Sequence, residues 1–149
     1  IPEMLDRVAR ENARSGGAVE ITVEADDAGT VWGWPAGLRL AVDNLVRNAV
    51  THGTASRIML TAARRGEYLI ITVDDNGRGL PADERQKVLG RFARGSTAAP
   101  GGSGLGLALV AQQASLHGGT LELSDGPLGG LRAELTVSTS PEAVGVRGP

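Results

Sequence analysis

Four groups of residues in this 149-residue chain have types and spacings that could do chemistry. Gly101-Gly-Ser-Gly-Leu-Gly-Leu107 runs straight into Ala108-Leu-Val-Ala-Gln-Gln-Ala-Ser-Leu-His117, so a glycine-rich loop opens a helix. Such an end offers unpaired N–H groups and the positive end of the helix dipole, and glycine lets backbone come close to an anion, typically phosphate. Asn44 and Asn48 stand four apart, one above the other on a helix. Amide oxygens are hard ligands suited to Mg²⁺, which binds few protein groups and fills its shell with water and phosphate. The plainer reading of the pair is an exposed polar helix face. Asp75-Asn-Gly-Arg-Gly79 follows an apolar run. A carboxylate at a strand end can accept a hydrogen bond from the exocyclic amine of a purine, and Gly77 and Gly79 allow a tight turn and a flat wall against a base. The same residues also suit an ordinary β-turn. Arg91-Phe-Ala-Arg94 precedes the glycine loop; Phe92 could pin a mobile segment and Arg94 could reach a phosphate, or Phe92 is a core residue between two solvated arginines.

Periodicity supplies the elements that must hold these groups. Met4, Leu5, Val8 and Ala9 recur at helical spacing, which predicts an amphipathic helix over residues 2–14, ended by Ser15-Gly-Gly17. Val19, Ile21 and Val23 alternate with polar residues as a half-buried strand; residues 26–29 read as a turn and Val31-Trp32 as a short second strand. Pro35 starts a helix whose stripe of Leu38, Ala41, Val42, Leu45 and Ala49 runs to about His52, with Asn44, Asn48 and Thr51 on an adjacent face and Gly53 as the stop. Residues 57–64 and 67–75 read as a hairpin around Arg65-Gly66. In its second strand Leu69, Ile71, Val73 and Asp75 share the more apolar face, so Asp75 should point inward and Asp74 out. Residues 82–90 read as a short helix and 91–102 as a mobile segment. Residues 105–116 are apolar on nearly every side, which predicts a well-buried helix. Residues 120–124 and 131–137 form another hairpin around Gly126-Pro-Leu-Gly-Gly130, and Pro141 begins a frayed tail.

Composition narrows the classes. With 41% hydrophobic and 21% charged residues, the chain suits one soluble domain with a real core. Aromatics are 3%, so the core must be aliphatic, which argues against a stacking platform for single-stranded nucleic acid. The net charge is −2 and no basic tract is dense enough for a nucleic-acid arm. The lack of cysteine removes disulfides, thiol nucleophiles and thiolate metal sites, and fits a reducing compartment. No run approaches transmembrane length, and Ile1 begins neither a signal peptide nor a methionine-initiated chain, so the sequence reads as a piece of something longer. A P-loop and the His-Arg-Asp and Asp-Phe-Gly kinase motifs are absent. A dinucleotide fold would want its glycine loop straight after a strand.

Taken in order, these groups carry a resemblance. Asp43-Asn-Leu-Val-Arg-Asn-Ala49 matches an N box, Asp75-Asn-Gly-Arg-Gly79 a G1 box, Arg91-Phe-Ala-Arg94 an F box and Gly102-Ser-Gly-Leu-Gly-Leu107 a G2 box. The chain resembles the catalytic, ATP-binding domain of sensor histidine kinases, in the GHKL superfamily of gyrase, the large heat-shock chaperone, histidine kinase and MutL. Four motifs in order and spacing are far more specific than any one. The resemblance implies an α/β (α+β) two-layer sandwich of Bergerat type, a mixed, mainly antiparallel sheet covered on one face by helices. It implies one ATP-binding kinase domain over residues 1–149, with 91–103 as an ATP lid, and ATP and Mg²⁺ as cofactors. Asn48 would ligand Mg²⁺, and Asn44 would help hold metal and phosphates. His52 would lie beside the nucleotide, Asp75 would read the adenine amine, and Gly77 and Gly79 would shape the base pocket. Arg94 would approach the γ-phosphate as the lid closes, sharing the catalytic role with Asn44. Gly102, Gly104 and Gly106 would form the phosphate-facing hinge, with Leu105 and Leu107 anchoring the helix. Many members carry Lys where Thr51 stands and Tyr where His52 stands. A cationic contact to phosphate would then be weaker or pass to Arg47, Arg91 or Arg94, and His52 would add pH sensitivity near neutrality.

The implied function is phosphotransfer from Mg-ATP to a His on a separate dimerisation domain of the same protein, for relay to a response-regulator Asp. That acceptor domain is expected upstream of Ile1. Neither His52 nor His117 lies in the family's acceptor setting, and His117 reads as structural. The isolated domain is expected to be a monomer that binds ATP without labelling itself, cytoplasmic, with no nucleic-acid or direct membrane contact, in a membrane-anchored homodimeric parent. The alternatives are an ATP-hydrolysing clamp or an anti-sigma-factor-type serine kinase, whose members carry a Glu where Asn44 stands, and a degenerate nucleotide-binding module. An amide is no general base, although Asp43 stands next to it.

Overall fold

The computed structural model describes residues 1–15, 19–25, 33–51, 54–79, 83 and 107–139. Pro2–Ser15 forms helix α1, Glu20–Glu24 strand β1, Pro35–Thr51 helix α2, Arg57–Arg65 strand β2 and Tyr68–Asp75 strand β3. Leu107–Leu116 forms helix α3, Thr120–Asp125 strand β4 and Leu131–Ser138 strand β5. The strands make one sheet in the order β1-β2-β3-β5-β4. β1 pairs with β2 in parallel, because α2 lies between them in sequence and returns the chain to the same end. The other three pairs are antiparallel. The sandwich expected from the resemblance is therefore the one observed.

Strand alternation puts one aliphatic face under the helices. Leu69 and Ile71 of β3, Leu60 of β2 and Leu135 and Val137 of β5 are fully buried. α2 packs on α1, on α3 and on β3, and its Ala41, Val42 and Val46 are fully buried at the centre. A buried Leu, Ile or Val contributes about 1.5–3 kcal/mol, so this aliphatic layer holds the sheet to the helices. Among the described residues no helix is long and apolar enough to cross a membrane.

Two local expectations are corrected. Arg65 pairs with Tyr68, so the hairpin loop is Gly66-Glu67 and not Arg65-Gly66. Gly66, at φ 62°, takes the first loop position, where the tight turn needs a left-handed residue. α3 is buried on one face only. Leu107, Val110, Ala111 and Ala114 are covered, whereas Ala108, Gln112 and Ser115 are exposed, because its neighbours α2, β4 and β5 lie on one side. The turn and strand read at 26–32, the helix at 82–90 apart from Asp83, the lid segment and the tail from Pro141 lie outside the described residues.

The end of α3 is closed by Gly118 at φ 73°. Gly119 N–H bonds Ala114 O at 2.7 Å and Gly118 N–H bonds Ser115 O at 3.0 Å, a Schellman cap. His117 sits in that cap, completely buried. Its Nε2 accepts from the Trp34 N–H at 3.0 Å, so Nδ1, 2.8 Å from Gln113 O, carries the proton and donates. Trp34 O accepts the first bond of α2, from Leu38 N–H. One imidazole thus joins the end of α3 to the start of α2.

Candidate functional site

β3 carries Asp75 to the helix-covered face of the sheet, as alternation after Leu69, Ile71 and Val73 requires. Asp75 is 4% exposed. Its Oδ1 accepts from the Gly77 N–H at 2.8 Å and the Leu131 N–H at 3.2 Å. Its backbone carbonyl accepts from the Gly130 N–H at 3.1 Å. Among the described residues no hydrogen bond reaches Oδ2. One oxygen is fixed by backbone and the other can accept from a ligand. Burial pushes the Asp75 carboxyl above its ordinary value; the Gly77 and Leu131 N–H groups pull it back, and the Asp74 charge adds to the rise. A buried carboxylate with an unused oxygen is relieved by a donor such as an exocyclic amine.

Asp74 does not point into solvent. It faces the other side of the sheet but is 3% exposed, because Arg132 covers it from the neighbouring strand. Arg132 Nε reaches Oδ1 at 2.7 Å and Nη2 reaches Oδ2 at 2.9 Å. This bidentate pair uses both Asp74 oxygens, so the adjacent aspartates are sorted into one structural and one open carboxylate. Gly79 follows at φ 73°, a conformation a side chain would strain. The turn between β4 and β5 closes over the site: a Cβ on Gly130 would overlap Asp75 Oδ1, so only glycine permits this approach.

Asn44 and Asn48 are half-buried on α2, whose other sides pack on α1, α3 and β3. Asn44 Nδ2 donates to Leu40 O at 3.0 Å, which leaves its carbonyl oxygen as the group to offer a cation or its water shell. Among the described residues no group of three or more His, Cys, Asp or Glu could hold a metal. A pair of amides is the kind of donor that would fit Mg²⁺ held mainly by water and phosphate. Asp43 is turned away from this pair. Its Oδ1 accepts from Asn12 of α1 at 2.8 Å and its Oδ2 from Arg47 at 2.9 Å. The carboxylate beside Asn44 is thus occupied in holding helices together. Arg47 is likewise paired with Asp43, which weighs against it as the replacement cation for phosphate.

α2 packs on both β3 and α3, so Asn44 and Asn48 lie on the helix that touches the strand ending in Asp75 and the helix opened by Leu107. Leu107 opens α3 and is buried. His52, Arg94, Gly102, Gly104, Leu105 and Gly106 lie outside the described residues, as does the side chain of Thr51. The sequence reading missed three contributors. Gly130 and Leu131 were seen only as turn and strand; the paired glycines were the signal, since Gly129, at φ 100°, already meets the turn's need. Asn76 clips the loop after β3 to the start of β2: its Oδ1 accepts from Ser56 and Arg57 N–H at 2.9 Å each, and its Nδ2 donates to Ser56 Oγ at 3.0 Å.

The chain is similar to known proteins in sequence and in fold. The chain belongs to the family of histidine kinase-, DNA gyrase B- and HSP90-like ATPases, whose sequence pattern matches residues 33–141. It is 54% identical over 138 residues to the sensor-type histidine kinase PrrB of Mycobacterium leprae, covering 93% of this chain and 31% of that protein. Its structure is similar to that of the ATP binding domain of PrrB from Mycobacterium tuberculosis, with a TM-score of 0.80, 43% identity and 93% of each chain covered. It is also similar to the mycobacterial sensor histidine kinase MprB, with a TM-score of 0.74, 28% identity, and 93% of this chain and 94% of that one covered. The chain therefore spans less than a third of the curated kinase it matches.

Proposed function

We propose that this chain is the catalytic, ATP-binding domain of a two-component sensor histidine kinase. It binds Mg-ATP and presents the γ-phosphate to a His on a separate dimerisation domain of the same protein, for relay to a response regulator. The observation that carries this reading is the Asp75 carboxylate, buried, fixed through one oxygen by backbone N–H groups and open at the other. Asp75 accepts from the adenine amine, and Gly77, Gly79 and Gly130 let backbone close around the base. Asn48 holds the metal through its amide oxygen, and Asn44 supports metal and phosphates. The metal, when bound, neutralises phosphate charge. His52, Arg94 and the stretch from Gly102 to Leu107 complete the phosphate side, with Arg94 meeting the γ-phosphate. The chemistry asks mainly for positioning and charge stabilisation. The clamp reading is disfavoured, because Asn44 stands where a general base is needed and the adjacent Asp43 is engaged with Asn12 and Arg47.

Calorimetric titration of Mg-ATP into the wild type, Asp75→Ala and Asn48→Ala tests this. The wild type should bind, Asp75→Ala should lose binding, and Asn48→Ala should lose only the Mg²⁺-dependent part. Failure of the wild type to bind, or unaltered binding by both variants, would sink the proposal in favour of a degenerate module.

A further inference from the structure

The α1–α2 contact is aliphatic inside and polar along one edge. Arg39 Nη2 reaches both Glu11 oxygens, at 2.7 and 2.8 Å, across partly exposed side chains. A pair so exposed contributes little. The second tie is different in kind. Asn12 is 7% exposed, and its Nδ2 donates to Val8 O at 3.0 Å and to Asp43 Oδ1 at 2.8 Å. Asp43 passes the link on, since its Oδ2 accepts from Arg47 Nη2 at 2.9 Å. Asn12, Asp43 and Arg47 therefore form one hydrogen-bonded chain from α1 into α2, anchored at its buried end.

Asp43 and Arg47 immediately precede Asn44 and Asn48. Successive helical residues are turned about 100° apart, so whatever fixes the direction of the first pair fixes that of the second. Leu38, Ala41, Val42, Leu45, Val46 and Ala49 are the apolar residues that α2 buries. Dispersion contacts between such side chains are individually weak and carry little directional preference, whereas a desolvated hydrogen bond to a carboxylate is strong and directional. The Asn12–Asp43 bond is thus a buried directional contact, one residue from Asn44, that resists rotation of α2 about its axis.

We propose that Asn12 is a positioning residue for the asparagine pair: through Asp43 and Arg47 it sets the rotation of α2 that presents Asn44 and Asn48 to the metal–phosphate group. The inference rests on the proposed role of that pair. It makes α1 part of the phosphate side of the site, although α1 supplies none of its ligands, and it gives Asp43 a task other than catalysis.

The test separates metal-dependent from metal-free binding. ATP is titrated calorimetrically, in excess Mg²⁺ and in EDTA, into wild type, Asn12→Ala and the swap Asn12→Asp with Asp43→Asn, and thermal melting is recorded for each. Asn12→Ala should keep the metal-free affinity and lose about tenfold of the Mg²⁺-dependent gain, the scale of outer-sphere changes around a metal. The swap, which restores the donor–acceptor pair between the helices with the roles exchanged but loses the bond to Val8 O, should recover part of it. If the alanine variant does not fold, Asn12→Ser, whose hydroxyl is too short to span the contact, reads the same ratio. A merely structural role would lower the melting temperature and leave the ratio of Mg²⁺-loaded to metal-free affinity unchanged, which would overturn the inference, as would a swap that recovers nothing. A wild type without any Mg²⁺-dependent gain would overturn the reading of the asparagine pair, and this inference with it; a gain that Asn12→Ala retains overturns the inference alone.

Discussion

At the scale of single residues, Asp74 and Asp75 show how neighbours of identical chemistry are given different work. Asp74 has both oxygens on Arg132, whereas Asp75 has Oδ1 on backbone and Oδ2 open. The folded-state pKa of Asp75 is raised above its ordinary value of 3.8, first of all by burial. A carboxyl so raised contributes stability that is fully present below the unfolded value and is lost as pH rises through the folded one. At neutral pH, where the unfolded carboxyl is ionised, the raised value therefore costs stability, a cost that the proposed recognition role accounts for. Asp75→Asn retains an oxygen for the Gly77 and Leu131 N–H groups but turns an amide donor toward the adenine amine. Its ATP affinity should fall by about 1.5–3 kcal/mol in calorimetry, the worth of a hydrogen bond to a charged group. Its thermal stability at pH 7 should equal or exceed that of wild type, with the difference vanishing as pH falls below 3.8. An asparagine variant less stable than wild type at pH 7 would contradict the assigned cost.

At the scale of elements, the site depends on two helices meeting at fixed angles, and His117 is the joint. Beyond its bonds to Trp34 and Gln113, its ring meets the Trp34 ring edge-on at 5.3 Å, and its carbonyl accepts from Ser138 N–H of β5 at 2.8 Å. Gly33 lies so near that a Cβ there would approach the ring at 2.6 Å. His117→Ala would leave the Trp34 N–H without its acceptor and open a cavity between α2 and α3. Urea unfolding should show a loss of about 2–4 kcal/mol. A change within a few tenths of a kcal/mol would mean that α2 and α3 are aligned by the aliphatic core alone.

At the scale of the whole molecule, the proposed nucleotide site comes without a candidate phosphate acceptor at His117, the one described histidine. His117 is completely buried and both ring nitrogens are engaged. The proposal therefore expects transfer in trans. Incubated alone with γ-labelled ATP, the chain should remain unlabelled, and label should appear on a supplied acceptor-helix domain. A labelled band on the chain itself would refute this division of labour.

Much of this was legible in the sequence because it depends on local periodicity. Alternation along Leu69, Ile71, Val73 and Asp75 fixes which carboxylate faces inward, and the spacing of Asn44 and Asn48 fixes that they stack, whatever the chain packs against. The four motif blocks, read in order, also pointed to the family that the matched residues 33–141 show. What the sequence could not decide were matters of contact between distant segments. Asp74 is buried because Arg132, 58 residues on, lies across the sheet from it. Asp43 is removed from chemistry because Asn12, 31 residues earlier, donates to it. Gly130 serves the site because β4 and β5 bring their turn onto Asp75. Periodicity tells which way a side chain points, since that follows from backbone geometry one or two residues away. What it meets there depends on how the layers close, and only the tertiary structure decides that.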